Sequence, residues 1–263
     1  MFAKLLKHEI KSTGGLLGLL SLGALAVGVI GGFLMRFTMN MPDNTELMDI
    51  LLLVFEIAIP FAFLSLIAYA VGGTIYLAVQ FYKRKFTDQG YLTFTLPVPV
   101  WQIYLSSLLN ILLWSIIILI VVIIAFGSIF FIGMYDTEVW HRLLDMNRQL
   151  GLGMEDMMSQ MQMDFSPIHS IVKFVSGNVL MITAITLGAV LAKKHKVLGA
   201  LGSYYGMSLV ITAVNSALTT TFLDSADYEI SMVYTLATAT NLIVIAAGSA
   251  LSIWLMSRKL NLP

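Results

Sequence analysis

The sequence predicts an all-α polytopic membrane protein with six transmembrane helices, and three observations carry that prediction. Of the 263 residues, 58% are hydrophobic and only 11% are charged, against roughly a quarter charged in a soluble domain, so the chain cannot furnish a water-facing surface. Six apolar runs, each long enough for a hydrocarbon core of ~30 Å, alternate with polar or basic stretches. The basic residues also sort to one side once those runs are threaded back and forth.

Residues 1–13 come first. Phe2, Leu5, Leu6 and Ile10 share one helical face and Lys4, Lys7, His8 and Lys11 lie largely on the other, which is the pattern of an amphipathic helix resting on anionic headgroups. Ser12-Thr13-Gly14-Gly15 is expected to break it. The first span is then 15–36; its only polar residue before Arg36 is Ser21, and the run exceeds the ~7–15 residues of a signal-peptide core, so a retained span is expected. Small residues recur in it as Gly14xxxGly18 and Gly28xxxGly32, a spacing that admits close helix approach, read here as packing within the subunit. Turn residues Pro42-Asp43-Asn44 follow.

The second run, 47–82, carries a single charge, Glu56. As a straight helix it would reach ~54 Å against a ~30 Å core, so one span fits and three do not. It therefore bends near Pro60 or Gly72-Gly73, or projects beyond the bilayer. After a polar and aromatic stretch, 83–100, the third span is 101–133. A largely polar loop, 134–166, leads to Ser166-Pro167, a capping hydroxyl followed by proline at the first helical position. That signal starts a fourth span, 167–192, ended by Lys193-Lys194-His195-Lys196. The fifth, 197–223, and sixth, 230–256, flank the acidic turn Asp224–Glu229.

Six spans put both termini on one side. That side holds Lys4, Lys7, Lys11, Lys83, Arg84, Lys85, Lys193, Lys194, Lys196, Arg258 and Lys259, eleven of the 15 basic residues, with only Glu9 and Asp88 among the acids. By the basic-residue rule it is the cytoplasmic side. The 83–100 stretch then lies in the cytoplasm, where Phe86, Tyr91, Leu92, Phe94 and Leu96 form an apolar patch rimmed by charge. Such a patch suits a protein partner, or a hairpin lying on the headgroups. Tyr91–Leu96 alternates with a strand-like period of two, while Pro97 and Pro99 bar a helix from continuing through them.

Several chemistries are excluded. The chain has no cysteine, hence no disulfide and no thiolate metal site. It has no GxxxxGK[ST] phosphate loop. His8-Glu9 runs on into Ile-Lys-Ser and does not complete HExxH, and the four histidines, His8, His141, His169 and His195, are dispersed. Met154, Met157, Met158 and Met161 have the i, i+3, i+4, i+7 spacing of a helical stripe, with Met163 following. Thioethers can hold Cu(I), but an apolar stripe against a neighbouring span explains the same spacing; with Trp140, Leu143 and Leu144 before it, the loop reads as two amphipathic helices hinged at Gly151–Gly153. Glu56 sits in hydrocarbon at a cost of ~2.5–3.5 kcal/mol if charged. It is therefore a substrate or proton site, or a protonated acid bonded to a neighbouring helix. Asn110, Asn178, Asn215 and Asn241 are intramembrane amides, read as joining helices in preference to binding substrate.

The run FYKRKFTDQGYLTFTLPVPVWQIYLSSLL, residues 81–109, resembles the segment between the second and third spans of bacterial ATP-binding cassette (ABC) export permeases of the type-2 class, particularly a Firmicutes group with a similar GYLTFTLPV run. The layout, an amphipathic helix before six spans with cytoplasmic termini, is similar too. The resemblance implies a short coupling helix at Phe86, Asp88, Tyr91, Leu92, Phe94 and Leu96, and the helical form is adopted here over the extended one. It implies docking of a separate ATPase subunit in two copies, a second permease subunit, and a site in the bacterial cell membrane. ATP and Mg would be on the ATPase, with no cofactor on this chain and no nucleic-acid partner. One departure is that the large external loop falls between spans three and four, where better-known members elaborate the connection between five and six. The scarcity of intramembrane charge suggests an amphipathic, lipid-like or peptide substrate. Two other functions fit the composition: a proton-coupled secondary transporter using Glu56, and a non-transporting immunity or scaffold protein.

Overall fold

In hydrocarbon every backbone N–H and C=O must find its partner within the chain, which leaves the helix as the default for runs this apolar. The computed structural model describes residues 2–39, 46–95, 97–135, 141–142, 145–146, 166–192, 195–223 and 230–258. Its elements are α1 (Phe2–Met39), α2 (Glu46–Phe86), α3 (Asp88–Phe94), α4 (Val100–Met134), α5 (Pro167–Leu191), α6 (Lys196–Leu223) and α7 (Ile230–Arg258). All but α3 are long and apolar enough to cross a membrane, so the chain is a multi-pass integral membrane protein. The expected turn at Pro42–Asn44, Trp140, Leu143, Leu144, the Met154–Met163 stripe, Lys193-Lys194, the Asp224–Glu229 turn and Lys259 lie outside the described residues.

The first helix corrects the expected break. Ser12-Thr13-Gly14-Gly15 is helical, and α1 runs without interruption from Phe2. Two glycines cost only about 1 kcal/mol each in a helix interior, and packing outweighs that cost. Glu9, Thr13, Leu17, Ser21, Ala24 and Gly28 form a buried stripe at three- and four-residue spacing. Lys4, Lys7, His8 and Lys11 are exposed on the opposite face, as the amphipathic pattern requires. The amphipathic segment is thus the opening of α1, not a separate helix. In α2 likewise the backbone continues through Pro60 and Gly72-Gly73. At ~1.5 Å per residue its 41 residues reach ~61 Å, so α2 extends well past a ~30 Å core.

By internal contacts the chain divides into two compact units, residues 11–76 and 113–159 in one, residues 1–10, 77–112 and 160–263 in the other. In the first, α1 packs on α4 through its glycines. A Cβ on Gly28 would lie 2.7 Å from the Ala125 backbone, and one on Gly32 2.7 Å from the Ser128 carbonyl, so Gly28xxxGly32 is an intramolecular seam, as expected. At Gly14 a Cβ would come within 3.1 Å of the Trp114 ring, whereas Gly18 has open space around it. Tyr69 on α2 ties to Ser21 on α1 at 2.7 Å, and Phe63 packs on Phe126 with ring centres 5.1 Å apart.

In the other unit, Ser166 caps α5. Its side chain accepts from the His169 N–H, with Pro167 in the first turn. Thr183 on α5 shares its hydroxyl proton between the Val179 and Gly248 carbonyls, the latter on α7 at 3.2 Å, and accepts from Ser252 at 3.1 Å. Tyr104 on α4 meets Ser249 on α7 at 2.9 Å. Hydroxyl groups therefore join these helices. The Asn178 and Asn241 amides also donate within their own helices, to the Phe174 and Ala237 carbonyls.

Candidate functional site

The chain turns sharply between α2 and α4, and the turn is built from its own hydroxyls and aromatics. Thr87 is extended, with φ −120° and ψ −171°, and ends α2; its hydroxyl donates to the Lys83 carbonyl. The Gly90 N–H donates to the Thr87 carbonyl at 2.7 Å, opening α3, and the Thr95 N–H closes it on Tyr91 at 3.1 Å. The Thr93 hydroxyl bonds Gln89 at 3.1 Å and reaches the Arg84 carbonyl at 3.5 Å, so α3 is fastened to the last turn of α2. Of the two conformations open for this stretch, the helix is the one formed. Pro99 then accepts from the Gln102 N–H at 2.9 Å where α4 begins.

Within α3 the side chains divide. Tyr91 is 59% exposed, and Phe94 is half-buried. Phe86 corrects the expectation of a fully exposed aromatic patch: it is only 5% exposed. Its ring lies edge-on to Phe81, centres 5.9 Å apart, and stacks on Tyr82 at 6.0 Å. An aromatic ring at a helix end can fold back onto the preceding turn and remove its apolar surface from solvent. Phe86 therefore anchors the segment. The side chains of Asp88 and Leu92, and Leu96 altogether, lie outside the described residues.

Beneath the anchor is a cluster that sequence reasoning missed. Lys85 donates to Glu9 Oε1 at 2.8 Å, and both side chains are buried. Ser107 donates to the same oxygen at 2.9 Å and Ser106 approaches it at 3.5 Å. The Arg84 guanidinium donates to the Glu9 carbonyl at 3.3 Å. The opening of α1, the end of α2 and the start of α4 thus meet at one carboxylate, directly beside the residues that carry α3. Removing two charges from water is costly unless geometry and further hydrogen bonds compensate, and here Ser107 supplies one, its proton shared with the Ile103 carbonyl at 3.0 Å, while Ser106 donates chiefly to that carbonyl at 2.9 Å. The sequence did hold a signal: Glu9 is the one acid among the lysines of the N-terminal segment, and Ser106-Ser107 interrupts an otherwise apolar run.

The intramembrane acid Glu56 lies on α2, its side chain outside the described residues. Pro60, four residues on, has no N–H to give the Glu56 carbonyl, so the helix lacks one internal bond at the level of this acid. Elsewhere, His169 Nδ1 lies 3.0 Å from the Thr238 hydroxyl and its ring is edge-on to Tyr234, joining α5 to α7. Among the described residues no group of three or more His, Asp or Glu side chains could hold a metal ion. Comparison with protein families, characterised proteins and solved structures returned no match.

Proposed function

We propose that this chain is the membrane-spanning permease subunit of an ABC exporter, working as a dimer with two copies of a separate ATPase docked on α3. The observation that supports this reading best is the construction of the α2–α4 turn. A seven-residue helix presents Tyr91 outward while Phe86 and the Glu9–Lys85 pair hold its base in the protein interior. A segment that must pass a push from a partner to spanning helices needs both an exposed contact and a rigid root. On this reading the basic ends of the helices face the cytoplasm, ATP-driven closure of the partner moves α3, and the spans carry an amphipathic substrate outward.

Affinity purification in mild detergent tests it. An ATPase should accompany the wild-type protein, and Tyr91→Ala should lose at least tenfold of it while leaving thermal stability unchanged, because the side chain is largely exposed. Reconstituted transport that needs neither ATP nor a partner, and that vanishes in Glu56→Gln, would overturn the proposal.

A further inference from the structure

Next to the α2–α4 turn, and independent of its proposed role, a lysine at the start of α6 makes no ion pair among the described residues. The last turns of α2 and the first turn of α6 enclose an open cavity of about 350 Å³, lined by Tyr82, His195, Lys196, Val197 and Leu198. Among the described residues no acidic side chain lines it. Of the adjoining cations, Lys85 is neutralised by Glu9 and Arg84 is bonded to the Glu9 carbonyl, while the exposed Lys83 makes no ion pair among the described residues. Among the described residues Lys196 makes no ion pair.

The backbone adds to the same polarity. Gly199 is the first residue of α6 whose N–H closes back on a carbonyl, that of His195 at 2.9 Å, so the N–H groups of Lys196, Val197 and Leu198 have no partner within the helix. Those N–H groups and the positive end of the helix dipole favour an anion. The rim has the opposite character, since Val197 and Leu198 are 68% and 65% exposed at the end of a helix long and apolar enough to span the bilayer. An ammonium, an imidazole and a phenol hydroxyl beside exposed aliphatic side chains match a ligand that is anionic at one end and apolar at the other. Lys193 and Lys194 immediately precede them in sequence.

We infer that this cavity binds the phosphate of an anionic phospholipid, with Lys196, His195 and Tyr82 around the headgroup and Val197 and Leu198 against the acyl chains. A free phosphate would satisfy the polar half alone; the exposed aliphatic rim selects the lipid. Basic pockets between spanning helices recur as headgroup sites for this reason.

Native mass spectrometry of the detergent-solubilised full chain tests the assignment, with dioleoylphosphatidylglycerol, dioleoylphosphatidylcholine and inorganic phosphate as probes. The wild type should retain phosphatidylglycerol at least tenfold better than phosphatidylcholine, and millimolar inorganic phosphate should not displace it. His195→Gln with Lys196→Gln should lower that preference at least about fivefold, the share of the one lysine charge removed, whereas Lys196→Arg should keep it. Displacement by inorganic phosphate would overturn the lipid assignment in favour of a free anion. Equal retention of the two lipids by the wild type, a readout needing no variant, would overturn the site, as would an unchanged preference in the double variant.

Discussion

Removing the Lys85 ammonium while keeping Glu9 should be among the most damaging single changes near the α2–α4 turn, and restoring neutrality should undo most of the damage. In Lys85→Met the Glu9 carboxylate stays buried, keeps Ser107 at 2.9 Å and Ser106 at 3.5 Å, and loses the donor at 2.8 Å that balances its charge. Breaking a buried pair this way costs about 3–5 kcal/mol; the serine contacts place the expected loss near 3. Glu9→Gln is milder, about 2 kcal/mol, because the amide oxygen still accepts from Lys85. In the double variant Glu9→Gln with Lys85→Met no charge remains buried and the serines can serve the amide, so the net change should fall to about 1 kcal/mol, since well-packed neutral replacements of buried pairs are often tolerated. The coupling between the sites is then about 4 kcal/mol. Unfolding by titration with sodium dodecyl sulfate in mixed micelles, followed by helical circular dichroism, measures all three variants. Additive losses, or a Lys85→Met cost under about 1 kcal/mol, would show that water reaches the pair and that it does not fix the turn.

Phe86→Ala should destabilise by about 3 kcal/mol in the same titration, since it removes a buried ring edge-on to Phe81 and stacked on Tyr82; a loss below 1 kcal/mol would return Phe86 to the exposed patch. Gly28→Val should destabilise strongly because Ala125 backbone occupies the space its side chain needs, while Gly18→Ala, with nothing within 4 Å, should be neutral or stabilising by up to about 1 kcal/mol. Equal effects at the two sites would refute the α1–α4 seam. Ser166→Ala should cost about 1 kcal/mol by exposing the His169 N–H at the start of α5, and Ser166→Asp should restore it.

How much of this was legible in the sequence depended on whether the signal was local. The six spans follow from hydropathy alone, and Ser166-Pro167 marks the start of α5 to the residue, because a cap is satisfied within one turn. The break at Ser12–Gly15 failed for the converse reason: propensity is a weak local term, and the Trp114 ring that packs against Gly14 is a hundred residues away in the chain. Phe86 was misjudged because alternation in Tyr91–Leu96 says nothing about an aromatic folding back onto the helix before it. Glu9 was counted as one of two acids on the basic side. Its burial depends on Lys85 and Ser107, residues 76 and 98 positions distant, and no periodicity within the N-terminal helix encodes that.

The same cluster constrains how the turn can transmit motion, if α3 is where a partner pushes. Thr93 and Thr87 fasten α3 to the last turn of α2, and Lys85 in that turn is bound to Glu9 beside Ser106 and Ser107. Moving α3 and the last turn of α2 alone would draw Lys85 from the carboxylate and leave both charges buried without each other, at several kcal/mol. Moving α3 together with the end of α2, the opening of α1 and the start of α4 keeps every one of these bonds. The second course costs less, so a displacement of Tyr91 should travel as a joint motion of three helix ends. Lys85→Met should therefore weaken the link between ATP hydrolysis and substrate flux while leaving partner binding at Tyr91 intact, and Tyr91→Ala should do the reverse. Reconstituted vesicles scored for flux per ATP separate the two: equal losses of binding and of flux per ATP in both variants would mean that the pair is a structural brace alone.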